Sequence, residues 1–453
     1  MNPLSLAVIA EMSGARLLAG NPALEAFRVS KDTQTLKTGD LYVALRGENF
    51  DGNRFIAEAA SKGAVGALCD TEAPLGLPSE FGVISTADAL TGLTLLASAW
   101  RSRLNLRSIV ITGSSGKTSA KDFTAAVLGS RLRTTATRGN LNNQIGLPLS
   151  ILEANLEDEA AVWEIGMNHR GEIAPLAGLA KPEIGIITGI GTAHIEFLGS
   201  REEIAREKGD LLERLPDSGA AIIPAENHFA GELRGRTTAR VLGVGFDHGD
   251  LRAVSIRPET KGSHFVIEGD FGSAEAMLPV PGKHMIGNAL LAVAAGLLNG
   301  ITLDECVGAL SEVTLTSGRL GRVIKRGVAI LDDTYNANPD SMVAALETIG
   351  SLPADGRKIG VLGKMGELGI HASDGYRRVG EKAARCLDML ICVGNEAEEI
   401  ARAAADKGMK DVLTVAGNPE AAKLLSSLCK EGDLVLLKAS RSARLEEILH
   451  QFI

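Results

Sequence analysis

The stretch Thr112-Gly113-Ser114-Ser115-Gly116-Lys117-Thr118-Ser119 constrains this chain more than any other. Before it, Ser108 to Ile111 form the short apolar run of a buried strand; after it, Ala120, Phe123, Val127 and Leu128 recur at helical spacing. Strand, glycine-punctuated turn and helix in that order make a phosphate loop. Gly113 and Gly116 let backbone N–H groups, those of Ser114 and Ser115 among them, converge on an anion at the positive end of the helix, and Lys117 adds a point charge. The Thr118 hydroxyl suits a metal ion held by the same phosphates, with Ser119 beside it. The usual spacing puts a glycine where Ile111 stands, so the loop is a shortened form, TGxxGKT.

A chain of 453 residues exceeds one compact core, and its pattern divides into three α/β domains. Residues 1–84 read as a small α/β unit with strands around Asp40–Leu45, Ala64–Cys69 and Gly82–Ser85. Residues 85–315 alternate apolar runs with helical patterns around the phosphate loop, as in a mostly parallel sheet with helices on both faces, and end in antiparallel strands over 250–280 and a helix from Gly282. Residues 316–453 restart with GVAILDDTY and alternate strand and helix to LVLLKASRS, a second doubly wound, Rossmann-like domain. The net charge of −9 opposes nucleic acid and anionic membranes, so any phosphate is held by local groups. With no basic segment before an apolar run and no run long enough to span a bilayer, a cytoplasmic location is expected. Five scattered cysteines without CxxC spacing fit neither a disulfide frame nor a zinc site.

Three further constellations carry chemistry. Glu164 closes the strand AAVWE, and His194 follows the strand EIGIITGIG beside Glu196; both sit at strand ends, where open α/β sheets collect ligands. Carboxylate and imidazole there are candidate ligands for a divalent ion shared with Thr118. In SREEIAREKGDLLERLP, Ile204, Leu211, Leu212 and Leu215 define an inward face that also carries Lys208. A bare ammonium there snorkels outward, pairs with a carboxylate, or reacts with carbon dioxide to become an anionic carbamate; periodicity leaves all three open. DDTYNANPDSM, residues 332 to 342, ends an apolar strand in two carboxylates, continues through Tyr335, Asn336 and Asn338, and enters a helix capped near Asp340 or Ser341, a richer polar turn than capping requires.

Together these motifs resemble the Mur ligases of bacterial peptidoglycan synthesis over essentially the whole chain. The shortened loop is common to that family and to folylpolyglutamate synthases; NLNNQIGLP, EIGMNHRGEI, AHIEFLGS with KGDLL, and above all DDTYNANPDSM are similar to the branch that adds D-alanyl-D-alanine. The resemblance implies an ATP-dependent ligase of cell-wall precursor synthesis. Its substrates would be UDP-N-acetylmuramoyl-tripeptide, D-alanyl-D-alanine and ATP, with an acyl phosphate between them and no nucleic-acid or membrane partner; the chain is expected to be a monomer. It further implies that Lys117 and Thr118 hold the β- and γ-phosphates and magnesium, two ions in all, that Glu164 and His194 are metal ligands, and that Lys208 is carbamylated. Lys117, Glu164, His194 and Lys208 would then be the catalytic set. Asn142 and Asn143 would face the phosphates and acyl group, Asn288 the adenine, and Arg319, Asp333 and Asn336 the ATP, with Tyr335 and Asn338 near the peptide. Lys31, Asp32, Thr33 and the loop Arg46, Gly47, Asn49 and Asp51 would take the uridine diphosphate end.

The chain departs from the family pattern at Gln34, where an arginine is usual, and at Lys364, Tyr376 and Ala439, where aspartate, histidine and glycine are common. A nucleotide switch would need an NKxD motif and a motor an apolar strand ending in aspartate in the same domain as the loop, and residues 85–315 contain neither.

Overall fold

The computed structural model describes residues 1–71 and 76–452. It divides into two compact units, one comprising Met1–Val110, Leu132–Gly166 and Glu172–Glu183, the other Ile111–Arg131, Met167–Gly171 and Ile184–Ile453. The strand Arg107–Thr112 gives its first four residues to the former and its last two to the latter.

In the first unit a five-stranded sheet has the order Arg16–Ala19, Gly82–Ser85, Gly66–Cys69, Asp40–Val43, Arg28–Ser30, antiparallel at the first pair and parallel elsewhere. The two edge strands are absent from the sequence reading because each is short and without apolar alternation: Arg16–Ala19 is largely exposed, and Arg28–Ser30 is three residues with one apolar side chain. Helix Ala89–Arg101 is capped by Asp88, which accepts from Thr91 N at 2.8 Å, and buries Trp100, whose indole N–H donates to Ala154 O at 3.0 Å. Strand Ala160–Glu164 lies parallel to Thr134–Ala136 in the same unit.

The second unit holds two sheets. In one, Ile184–Ile187, Ala220–Pro224, Arg240–Gly245 and the start of Leu251–Glu259 run parallel, and Gly262–Gly269 and Gly272–Leu278 continue antiparallel as expected. Helix Lys283–Leu298 packs against the loop helix Lys117–Gly129. The other sheet has six strands, ordered Gly321–Lys325, Val328–Asp332, Leu434–Lys438, Lys358–Leu362, Met389–Val393, Val412–Val415, parallel except for the first. Its central strands are near-continuous apolar runs because helices cover both faces; Ile330, Val361, Ile391 and Val435 are in its core. The antiparallel strand Gly321–Lys325, missed in the sequence, is an exposed edge. Among the described residues all five cysteines are unbridged, Cys386 and Cys429 only partly buried, and no helix is long and apolar enough to cross a membrane.

Helix Pro339–Ser351 corrects one expectation. Its cap is Asn338, whose Oδ1 accepts from Ser341 N at 2.9 Å while Ser341 Oγ accepts from Asn338 N at 3.0 Å, with proline at the first helical position. That frees Asp340 for another task. Its carboxylate accepts from Thr192 N at 2.6 Å, Thr192 Oγ1 at 2.8 Å and Arg378 Nη1 at 2.8 Å, fastening this helix to the segment that follows strand Ile184–Ile187. Burial opposes its charge, but Thr192 and Arg378 outweigh burial and hold its pKa below the usual range. A depressed carboxylate contributes stability that is complete above its unfolded pKa, about 4, and lost as pH falls through the folded value. Asp340→Asn is therefore expected to cost about 1–3 kcal/mol at neutral pH, a deficit that narrows below about pH 4. Denaturant midpoints across a pH series measure it, and a pH-independent deficit would contradict the assignment.

Candidate active site

The loop helix Lys117–Gly129 has no side-chain cap; its N-cap is Gly116, at φ 84°. Helix geometry aims first-turn N–H groups along the axis, so this end is built for an anion. Gly113, at φ 151°, turns the chain off its strand, and a side chain there would run into Thr188. A Cβ on Gly116 would lie 2.6 Å from Asn288 Oδ1. Both glycines are thus required by conformation and by close approach. The segment after strand Ile184–Ile187 fixes the loop from the side: Ser114 N donates to Gly189 O at 2.9 Å, Gly191 N to Ser114 Oγ at 2.9 Å, and Thr188 Oγ1 to Ser115 O at 2.5 Å. Lys117 Nζ closes across the turn onto Gly113 O at 2.9 Å. Thr118 and Ser119 are buried, and Asn288, also buried, faces the loop.

Lys208, on helix Arg201–Glu213, is 0% exposed, and its Nζ has no hydrogen-bond partner among the described residues. Ile204, Leu211, Leu212 and Leu215 are buried with it, as their spacing requires. Two of the three readings left open therefore fall: the amine neither snorkels nor is held by a carboxylate. Burial pushes its pKa well below the ordinary lysine value, the positive Lys117 adds to that, and Glu207 only partly opposes.

His194 stands at φ 63°, a left-handed backbone that non-glycine residues rarely adopt. Its Nδ1 lies 2.5 Å from Glu367 Oε2, and Glu367 is itself left-handed at φ 60°. Two strained residues facing each other mark a constrained site. Burial lowers the imidazole pKa despite the carboxylate, which keeps it neutral near pH 7, the form that ligates metals. The carboxylate beside the ring is Glu367 rather than the sequence neighbour Glu196; no local pattern announces a partner so distant in the chain.

In DDTYNANPDSM, Asp332 accepts from Thr334 N and Oγ1 and shapes the turn. Asp333 pairs with buried Lys438 at 2.5 Å, whose ammonium also donates to Asn336 O at 2.9 Å. The Asn336 side chain accepts from Ala337 N, and the Arg319 guanidinium lies 4.2 Å above the Tyr335 ring. Asn338 donates through Nδ2 to Ser115 Oγ at 3.0 Å, so its amide is committed to the helix cap and to the phosphate loop.

In the first unit Glu164 is 2% exposed; its Oε1 accepts from Asn142 Nδ2 at 2.7 Å, and its N–H donates to Thr137 Oγ1. Asn143 instead accepts from Ile145 N and Gly146 N, shaping the entry to helix Gly146–Glu153. Asp32 closes an exposed turn by accepting from Gln34 N, Thr33 O accepts from Lys62 Nζ, and Lys31 is exposed. Arg46–Gly47 and Phe50–Asp51 form an exposed two-stranded ribbon with Asn49 at its tip, held by Arg46 Nε on Asp70 Oδ1 at 2.9 Å. Among the departures, Tyr376 is structural: its hydroxyl accepts from Met365 N and donates to Met365 O. Lys364 pairs loosely with Glu396 at 3.6 Å, and Ala439 is fully buried.

Residues 28–93 match the family described as Mur ligase family, catalytic domain; residues 111–296 the Mur ligase middle domain; and residues 318–441 the Mur ligase glutamate ligase domain. The chain is 37% identical to UDP-N-acetylmuramoyl-tripeptide–D-alanyl-D-alanine ligase of Bacillus subtilis, covering 98% of this chain and 97% of the relative. The crystal structure of MurF from Acinetobacter baumannii superposes with a TM-score of 0.89 at 30% identity over 99% of this chain and 98% of that one. That of MurF ligase from Thermotoga maritima in complex with ADP does so with 0.83 at 27% identity, covering 94% and 96%. Three α/β modules, a shortened phosphate loop and this full-length likeness place the chain in the Mur ligase family, among its UDP-N-acetylmuramoyl-tripeptide–D-alanyl-D-alanine ligases.

Proposed function

We propose that the chain is an ATP-dependent amide-bond ligase that adds D-alanyl-D-alanine to UDP-N-acetylmuramoyl-tripeptide in the synthesis of peptidoglycan precursors. The full-length likeness to ligases of that name carries the proposal, and the uncapped helix behind Gly113 and Gly116 gives it a physical basis. The terminal carboxylate of the tripeptide attacks the γ-phosphorus of ATP and ADP leaves, forming an acyl phosphate. The amine of D-alanyl-D-alanine attacks that carbonyl, and the tetrahedral intermediate expels phosphate. Such a sequence asks a protein mainly for positioning and charge neutralisation.

In this reading Lys117 and the loop N–H groups from Gly113 to Ser119 grip the β- and γ-phosphates, Asn288 meets the adenine, and Arg319, Asp333 and Asn336 meet the rest of ATP. Asn142, Asn143 and Tyr335 serve the peptide and acyl groups, and Asn338 acts by steadying Ser115. Lys31, Asp32, Thr33 and the ribbon Arg46 to Asp51 hold the uridine diphosphate. Thr118, Glu164 and neutral His194 supply hydroxyl, carboxylate and imidazole donors, a set that fits magnesium. Bound magnesium supplies charge neutralisation of the phosphoryl group in transfer. A buried, unpartnered amine fits that set only with its charge reversed. We therefore assign Lys208 as a carbamate: its nitrogen attacks carbon dioxide, an N–C bond forms and a proton leaves. The domains are taken as 1–84, 85–315 and 316–453; the five-stranded sheet ends at Ser85, one residue past the first boundary. Because its nucleotide substrates are cytoplasmic compounds, the enzyme is placed in the bacterial cytoplasm, acting as a monomer.

An ADP-release assay tests the reading. Turnover is expected only when tripeptide acceptor and D-alanyl-D-alanine are both present, and equal turnover with single amino acids would overturn it. Lys117→Ala should lower kcat/KM on the order of 100- to 1000-fold; retained turnover would remove the loop from the mechanism. Lys208→Ala should lose at least about 100-fold with an unchanged circular dichroism spectrum, and added formate or acetate should restore part of it. Wild-type activity in that variant would refute the carbamate.

A further inference from the structure

His194 and Glu367 belong to different sheets of the second unit: one follows strand Ile184–Ile187 and the other follows strand Lys358–Leu362. Glu367 Oε2 nevertheless lies 2.5 Å from His194 Nδ1. The turn that carries the carboxylate is held on both sides. Tyr376, on helix Ala372–Cys386, accepts through its hydroxyl from Met365 N at 2.9 Å and donates to Met365 O at 3.1 Å. Beyond the carboxylate, Glu196 N donates to Glu367 O at 3.3 Å, and a Cβ on Gly369 would stand 2.9 Å from Glu196 Cγ. Glu367 and Gly369, at φ 60° and 48°, double the chain back between these anchors. An ordinary ion pair does not explain the arrangement. The Glu367 side chain is 43% exposed, so a salt bridge there gains less than it costs to hold two non-glycine residues, Glu367 and His194, at positive φ.

A carboxylate at neutral pH can only accept, so Nδ1 carries the proton of the neutral imidazole and Nε2 keeps its lone pair. That is the state in which a histidine ligates a metal: its other nitrogen donates to a carboxylate, which fixes the ring. We propose that Glu367 is a positioning residue for His194, holding the tautomer and ring orientation that present Nε2 to a divalent cation, and that Tyr376 sets the turn that delivers Glu367. The proposal rests on the reading of His194 as a magnesium ligand. One ligand of the cation is thus oriented from the other sheet, and the site is complete only when the turn of residues 365–369 is seated. The two bonds of the Tyr376 hydroxyl thereby gain a purpose at a position where the chain departs from its family's pattern.

The test titrates Mn2+, followed by its electron paramagnetic resonance signal, into the full chain carrying one equivalent of a non-hydrolysable ATP analogue. Glu367→Ala should weaken Mn2+ binding about 10- to 100-fold. Glu367→Gln, whose amide oxygen still accepts from Nδ1–H, should recover most of that loss, and Tyr376→Phe should lose a smaller part of the affinity. Should Glu367→Ala not fold, Glu367→Gly carries the same comparison, because glycine relieves the left-handed backbone. Nitrogen-15 spectra of the histidine-labelled chain, assigned with His194→Gln, should show His194 protonated at Nδ1 in the wild type and a mixture of tautomers in Glu367→Ala. Unchanged Mn2+ affinity in Glu367→Ala, equal losses in Glu367→Ala and Glu367→Gln, or a wild-type His194 protonated at Nε2 would overturn the proposal; full affinity in Tyr376→Phe would overturn its second half. His194→Ala separates the two readings. If it binds Mn2+ as the wild type does, the ligand reading fails and the positioning role with it, whereas weakening in His194→Ala alone overturns only the positioning role.

Discussion

A helix whose first turn is capped by glycine alone directs its dipole and its backbone donors at whatever lies in front of it. At Lys117–Gly129 the cap is Gly116, which has no side chain to offer, and the neighbouring structure is arranged around that end. Thr188, Gly189 and Gly191 hold Ser114 and Ser115 in place through backbone and hydroxyl groups, Asn338 holds Ser115 from the start of another helix, and Asn288 closes over Gly116. Each of these groups shapes the loop and leaves the helix end itself to an anion. The missing first glycine, at Ile111, belongs to the same logic: Ile111 is fully buried strand, so the turn starts later and is shorter than in switches and motors.

Two buried lysines show how differently one side chain can be accommodated. Lys438 has Asp333 and the Asn336 carbonyl, which satisfies its charge and ties the last strand of its sheet to the DDTYNANPDSM turn. Lys208 has no such partner and stands at the same depth among aliphatic side chains. An unpaired buried ammonium costs several kcal/mol, so a fold retains one only where the amine is neutral or becomes something else. The contrast between the two is the physical argument for chemistry at Lys208.

Local pattern carried a large part of this into view. The loop, the inward position of Lys208 and the Glu164 strand end were legible because each depends on residues within one or two turns of itself. The partners were not. Thr192 and Asp340 are 148 residues apart, and nothing near Asp340 distinguishes it from an ordinary cap. Asn338 took the cap because proline follows it directly, which left Asp340 available. Glu367 beside His194 is a carboxylate at a loop position with no periodicity, chosen by tertiary proximity alone. The edge strands Arg16–Ala19 and Gly321–Lys325 escaped for a related reason, since an exposed edge needs no apolar alternation.

The central claim is that the loop delivers a phosphoryl group to a carboxylate rather than hydrolysing ATP or activating the acid as an adenylate. Labelling the terminal carboxylate of the tripeptide with oxygen-18 and analysing the phosphate released during ligation tests it most directly. The account predicts one labelled oxygen in the inorganic phosphate and ADP as the nucleotide product. Unlabelled phosphate, or AMP with pyrophosphate, would contradict it.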